Sequence, residues 1–182
     1  MATAITGSFY LTETVALPVG SVPGTRVTGT LDLSAYVNVP TGQCIAVEAA
    51  DFILQDGSDY SSSVGLMLTA NGAITFQLTD LNPAGEFVRA DNHSLIASGA
   101  LNIDVANNIA THSSDLYPDN FGPAAHSESF MVVNDTLYLT AGNSLGAIAG
   151  SVVYCSVRLR CRVVKLNQRD WMAIAIQSTA EA

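Results

Sequence analysis

Ser151-Val-Val-Tyr-Cys-Ser-Val-Arg-Leu-Arg-Cys-Arg-Val-Val-Lys-Leu166 alternates apolar and basic residues and gathers most of the chain's positive charge. In a β-strand, successive side chains point to opposite sides. That places Val153, Cys155, Val157, Leu159, Cys161 and Val163 on one face and Arg158, Arg160 and Arg162 on the other. The first face reads as core and the second as a basic stripe. Lys165 and Arg169 follow it, so five of the seven Lys and Arg residues lie between positions 158 and 169.

The remainder of the chain is acidic and sparsely charged. Sixteen Asp and Glu against seven Lys and Arg give a net charge of -9, with 13% charged residues. This excludes a surface that coats nucleic acid generally. The mean hydropathy of +0.31 implies extensive apolar burial, in a core or against other subunits, and self-association is the simpler expectation. No stretch approaches the roughly 18 consecutive apolar residues of a membrane span. Met1-Ala-Thr-Ala-Ile-Thr-Gly-Ser8 lacks the charged and apolar regions of a signal peptide, so the chain is expected neither to span a membrane nor to be secreted.

A length of 182 residues suits one sizeable domain, with neither linker nor internal repeat in the sequence. Cys44, Cys155 and Cys161 form an odd set, two of them on one apolar strand face. They read as buried free thiols rather than as a disulfide framework or zinc site.

Strand signals recur along the chain, and helix signals are scarce. Strands are expected at Ser8 to Val15, Thr25 to Leu33, Cys44 to Leu54, Ser129 to Val133, Thr136 to Leu139, Val152 to Leu166 and Trp171 to Gln177. Val64 to Thr69 and Ala73 to Thr79 flank Asn71-Gly72, which predicts a tight hairpin. Between Leu81 and Gly122, Asn82-Pro83, Asp91-Asn92, Asn107-Asn108, Asp119-Asn120 and Gly122-Pro123 predict long surface loops. Eight to ten short strands in this length are the pattern of an all-β sandwich or jelly roll.

Candidate chemistry is thin. Gly142-Asn143-Ser144-Leu145-Gly146 matches the nucleophile elbow G-x-S-x-G, yet no helix signal follows it and His93, His112 and His126 all precede the serine. It reads as a glycine-rich loop. His112, Asp115, Asp119 and His126 are metal-capable but match no ligand spacing, and a solvated loop is expected. Asp56-Gly57-Ser58-Asp59 lacks the order of an EF-hand. Should calcium bind there, Asp56 and Asp59 would supply oxygens and a neighbouring subunit the rest, because the ion needs six to eight. No other cofactor is expected. The sequons at Asn92 and Asn134 read as exposed turns.

The basic stripe has two readings. Arginines on the solvent face of an amphipathic strand discourage edge pairing. Alternatively, Arg158, Arg160 and Arg162, with Lys165 and Arg169, meet packaged nucleic acid non-specifically or pair with the carboxylates of an adjacent subunit.

The succession of Thr28 to Val37, a turn at Pro40 to Gln43, the apolar strand Cys44 to Leu54, and a final pair from Ser151 to Leu166 and Trp171 to Gln177 resembles a single jelly-roll capsid protein of a small icosahedral virus. The resemblance covers most of the chain and is one of pattern. It implies one capsid domain over 1–182, with a short N-terminal extension over about 1–23 and eight antiparallel strands in two sheets. It further implies many-copy assembly, inside the host cell, into an icosahedral shell that encloses the genome in the virion, with no catalysis. One departure matters: many such proteins carry a basic N-terminal arm, whereas no basic residue here precedes Arg26. The genome would then face the arginine stripe or a separate basic protein, or a membrane or empty space would lie beneath the shell.

The alternative is a trimeric decoration module or a carbohydrate-binding β-sandwich, with Tyr60, Tyr117 and Phe121 as candidate sugar-stacking rings. An enzyme is the weakest reading, since no arrangement of histidine, carboxylate or cysteine has catalytic order or spacing.

Overall fold

The computed structural model describes residues 3–62, 67–118 and 129–179. In chain order they form β1 (Thr3–Ala4), β2 (Phe9–Leu17), β3 (Arg26–Asp32), β4 (Gln43–Asp56), β5 (Gly72–Thr79), β6 (Leu95–Asp104), β7 (Ile109–Leu116), β8 (Phe130–Val132), β9 (Thr136–Ser144), β10 (Val153–Lys165) and α1 (Gln168–Thr179). One sheet runs β2-β10-β4-β8, and the other β3-β9-β5-β6 with β7 outside β6. All pairings are antiparallel. The chain passes from one sheet to the other between β2 and β3, β3 and β4, β4 and β5, β7 and β8, β8 and β9, and β9 and β10. Each sheet has five strands, counting β1 beside β10 and β7 beside β6. The four strands named first in each, interleaved in this order, make a single jelly roll, so the fold is all-β as the strand pattern implies.

The core lies between the sheets. The alternation of β10 is met in full: Val153, Cys155, Val157, Leu159, Cys161 and Val163 are all buried and face Phe76, Leu78, Leu139 and their neighbours. The rings of Phe52 and Phe76, one from each sheet, stack at 4.5 Å. Opposite Phe76 stands Gly99, where a Cβ would run into the Phe76 ring and the Ser113 carbonyl, so glycine lets the β6 backbone approach that ring.

Several expectations need correction. Within the stretch 1–23, expected as an extension, β1 and β2 follow one another along one edge of β10, from Thr3 opposite Lys165 to Leu17 opposite Val153. Residues 3–4 and 9–17 of that stretch therefore belong to the sheet. Trp171 to Gln177 is not a strand but part of α1. Asn167 starts the helix by accepting the Asp170 N–H on Oδ1 at 2.8 Å, and Ile174 anchors it with Trp171 and Ala175. Asn71-Gly72 does not close a hairpin onto the preceding segment, of which residues 63–66 lie outside the described residues. Instead, Gly72 opens β5 beside β6 and β9, close to the Ser144 carbonyl, and Asn71 Oδ1 caps the next turn by accepting the Val105 N–H at 2.7 Å. The region 81–122, of which residues 119–122 lie outside the described residues, is not loop throughout, since β6 and β7 form a hairpin in it through Asn108 at φ 56. Strand β7 leaves no strand signal in the sequence, because seven of its eight residues are exposed and no apolar alternation marks it.

Among the described residues, no helix is long and apolar enough to cross a membrane.

Candidate functional site: the outer face of the β2-β10-β4-β8 sheet

The arginine stripe lies on the face of its sheet that turns away from the core. Arg158 and Arg160 are exposed and Arg162 is half-buried. The neighbouring strand β4 cannot keep step with β10 throughout. Its register shifts between Arg160 and Cys161, where Ala49 stands opposite Arg160 and Val47 opposite Cys161. Glu48 is the extra residue of this bulge. Inward residues accordingly change parity, from Ile45 and Val47 to Ala50, Phe52 and Leu54.

The bulge aims Glu48 between two arginines. Its carboxylate lies 3.4 Å from Arg160 Nε and 3.2 Å from Arg162 Nε, with the Glu48 side chain only 6% exposed. The shorter contact is an ion pair without hydrogen-bond alignment. Ser8 links the group from β2's side, its hydroxyl donating to Glu48 Oε2 at 3.0 Å and accepting from an Arg162 terminal nitrogen at 3.2 Å. Arg158 follows a different course. Its guanidinium lies over the Tyr10 ring at 5.2 Å, and Asp51 stands opposite it in register. Three guanidiniums thus share their rows with two carboxylates, which leaves a formal excess of one positive charge.

Lys165 and Arg169 do not extend the stripe. Position 165 has the parity of the core face, and Lys165 lines a cleft of about 560 Å³ with Val39, Pro40, Gly42, Trp171 and Met172. Arg169 is exposed on α1. The helix covers the far end of the same outer face, burying Cys44, Ala46, Met131 and Val164. This explains why Cys44 to Val47 and Val163-Val164 are apolar on both parities: that end of the sheet is covered on both sides.

The other candidates disperse. Asp56 accepts the Ser58 N–H at 2.9 Å, and this bond holds its carboxyl below the usual range. Asp59 accepts the Ser61 N–H at 3.0 Å. His112 packs by the Phe76 ring at 5.8 Å, whereas Asp115, three residues on, faces the other way and lines a shallow depression with Gln77 and Ser98. Asp119, Phe121 and His126 lie outside the described residues. Among the described residues, no three His, Cys, Asp or Glu side chains group as a metal site. Cys44, Cys155 and Cys161 are buried and form no disulfide. The Gly142–Gly146 stretch ends β9 and turns directly toward β10, with no helix behind Ser144. Asn134 of the second sequon uses its amide on Asp80. Tyr117 bonds Ser98 through its hydroxyl at 2.8 Å, whereas Tyr60 is 65% exposed beside Tyr154.

Glu48 is the residue that reading the strands one at a time misses. Its signal is the change of apolar parity between Val47 and Ala50, which marks a bulge next to a lone carboxylate.

No protein-family model matches the chain, and no curated protein matches its sequence. Solved structures similar to it include VP1 proteins of polyomaviruses, which are jelly-roll capsid proteins. Merkel cell polyomavirus VP1 in complex with GD1a oligosaccharide is 11% identical, with 90% of this chain and 98% of that chain covered and a TM-score of 0.41. Trichodysplasia spinulosa-associated polyomavirus VP1 in complex with GM1 oligosaccharide is 10% identical, with 90% and 97% covered and a TM-score of 0.40. The unassembled pentamer of Merkel cell polyomavirus VP1 is 10% identical, with 87% and 97% covered and a TM-score of 0.38. Likeness of this size carries no ligand or assembly over to this chain, and the jelly-roll assignment stands on the strand order.

Proposed function

We propose that this chain is a structural capsid protein that self-assembles in many copies, inside the host cell, into an icosahedral shell enclosing a viral genome. The observation that carries this reading is the strand order itself, β2-β10-β4-β8 facing β3-β9-β5-β6, an architecture used by viral capsid and lectin domains. Composition supports it. A chain with 13% charged residues and a mean hydropathy of +0.31 also exposes Ile5, Val19, Val22, Val39, Leu145 and Ile176, apolar surface that neighbouring copies would cover.

The arginine face suits contact between subunits better than phosphate neutralisation. With Glu48 and Asp51 in its rows it offers one excess charge per copy, on a chain of net charge -9. Affinity for a polyanion scales with the number of phosphates neutralised and falls with salt, so a face this balanced would bind genome weakly. Gradient sedimentation of the full chain tests the reading. A fast-sedimenting species is expected, with a 260/280 nm absorbance ratio that stays low wherever no other basic partner is present. A monomer-sized peak at every salt, pH and calcium condition would contradict it.

A glycan-binding module is the second reading, favoured by Tyr60, which a backbone φ of 58 presents as an exposed ring beside Tyr154 at 6.0 Å. A glycan array probed with wild type and Tyr60→Ala separates the two. Sugar binding that the variant loses, by a protein that forms no shell, would favour this second reading.

A further inference from the structure

The loop between β2 and β3 (residues 18–25) and the turn between β9 and β10 (residues 145–152) are sewn into one unit. The Gly24 N–H donates to the Asn143 carbonyl at 2.8 Å, the Gly20 N–H to the Ile148 carbonyl at 3.1 Å, and the Ile148 N–H to the Ser21 carbonyl at 3.0 Å. At the centre is Asn143, fully buried, whose Nδ2 donates to the Ser21 carbonyl at 3.1 Å and the Gly146 carbonyl at 2.8 Å. Buried bonds of this kind fix the relative position of the two segments.

On this base stand three exposed apolar side chains: Leu145 at 82%, Val22 at 66% and Val19 at 54% exposure. Leu145 is the more telling because its backbone is strained as well. Its φ is 66, and the Gly146 N–H closes back on the Ser144 carbonyl at 2.8 Å, so Leu145 is the central residue of a three-residue turn that is rare for an L side chain. Glycine or asparagine would suit both that backbone and the water around it. For the isolated subunit, leucine is the wrong residue twice over.

Charge narrows the occupant. Residues 17–25 and 142–153 contain no Asp, Glu, Lys or Arg, while the chain as a whole carries -9. Two such copies repel over most of their surfaces, and an uncharged apolar tip is where they meet without that penalty. We propose that this tip, formed by Val19, Val22 and Leu145, is a contact between copies of this chain, the tip of one packed against the tip of another around a rotation axis. The inference rests on the self-assembly reading above and specifies where the subunits cohere.

Sedimentation velocity over a concentration series tests it, with the full-length wild type, Leu145→Gly and Val22→Ser, alongside thermal melts of each. Leu145→Gly relieves the φ strain, so its melting temperature should stay level or rise while self-association weakens by about tenfold or more, as loss of a buried leucine implies. Val22→Ser should weaken association in the same direction with little change in melting. If both variants associate as wild type does, the tip is not the contact, and the self-assembly reading survives without it. A wild type that stays monomeric throughout overturns both. Flotation with phosphatidylcholine vesicles covers the remaining occupant: binding that Leu145→Gly abolishes, with self-association unchanged, would make the tip a membrane contact and refute the proposal.

Discussion

The carboxylate of Glu48 lies 3.2 Å from the Arg162 guanidinium, the two brought together by a bulge that sets two residues of β4 against one of β10. A row of arginines that resembles a free basic surface in the sequence is thereby half committed within its own subunit. With its second contact to Arg160, the same carboxylate offsets the repulsion between Arg160 and Arg162.

Glu48→Gln keeps the side chain's shape and removes its charge, which leaves Arg160 and Arg162 unneutralised. Urea unfolding should show a loss of about 2 kcal/mol, between the values for exposed and buried pairs, and retention on heparin should increase. Unchanged stability together with unchanged retention would contradict the clamp. Arg162→Ala should destabilise more than Arg160→Ala, whose side chain is 48% exposed against 19% for Arg162.

Val157→Asp and Leu159→Asp each place an unpaired charge at a fully buried position and should prevent folding, a penalty above about 4 kcal/mol. Arg160→Ala should leave a folded subunit with altered assembly. Circular dichroism of the three variants checks the assignment of faces, and equal loss of structure in all of them would refute it.

Burial pushes the Cys155 thiol up to about 12, and burial aided by the nearby Glu48 charge does the same to Cys161. Both should resist a disulfide reagent at pH 8 in the native protein and react on denaturation. The sign for stability follows. A fold that favours the protonated thiol is most stable below pH 9.0, the ordinary thiol value, and loses that contribution as the pH rises toward about 12. The alkaline fall in urea midpoint should therefore be shallower in Cys155→Ala than in wild type, and parallel curves would count against the burial argument.

Gly42 has φ 73, accepts the Leu166 N–H at 2.9 Å, and leaves no room for a Cβ beside the Leu166 carbonyl. Gly42→Ala should lower stability by about 2 kcal/mol, with strain and crowding together exceeding the usual effect of either. Asn167→Ala, which removes the α1 cap, should cost about 1 kcal/mol. Both variants should loosen α1, and the single tryptophan, Trp171, reports this by fluorescence. An unaltered Trp171 signal in both would mean that the helix is held by its packing alone.

Alternation in β10 was enough to assign its core face, because a strand buried on one side writes its period directly into the sequence. The same logic failed where a strand has no buried face, as in β7, and where both faces are covered, as at Cys44 to Val47 and Val163-Val164. In the second case apolar residues on both parities keep the strand signal and also demand a cover, which α1 supplies. Trp171 to Gln177 misled for a related reason: Ile174 and Ile176 suggest strand propensity, while the Asn167 cap and the apolar surface under Ile174 decide for helix. Asn71-Gly72 carried the usual hairpin signature, yet its glycine serves close approach to Ser144. The Glu48 clamp was hidden because it joins residues more than a hundred positions apart through a register that only the paired strands define.

Negative-stain electron microscopy of the purified full-length protein tests the central claim most directly. Closed spherical particles of uniform size are the expected result, since a jelly-roll subunit with an uncharged apolar tip and a balanced arginine face should assemble without other proteins. Small discrete oligomers or monomers, at concentrations and salt conditions that favour association, would contradict the account of this chain as a shell-forming subunit.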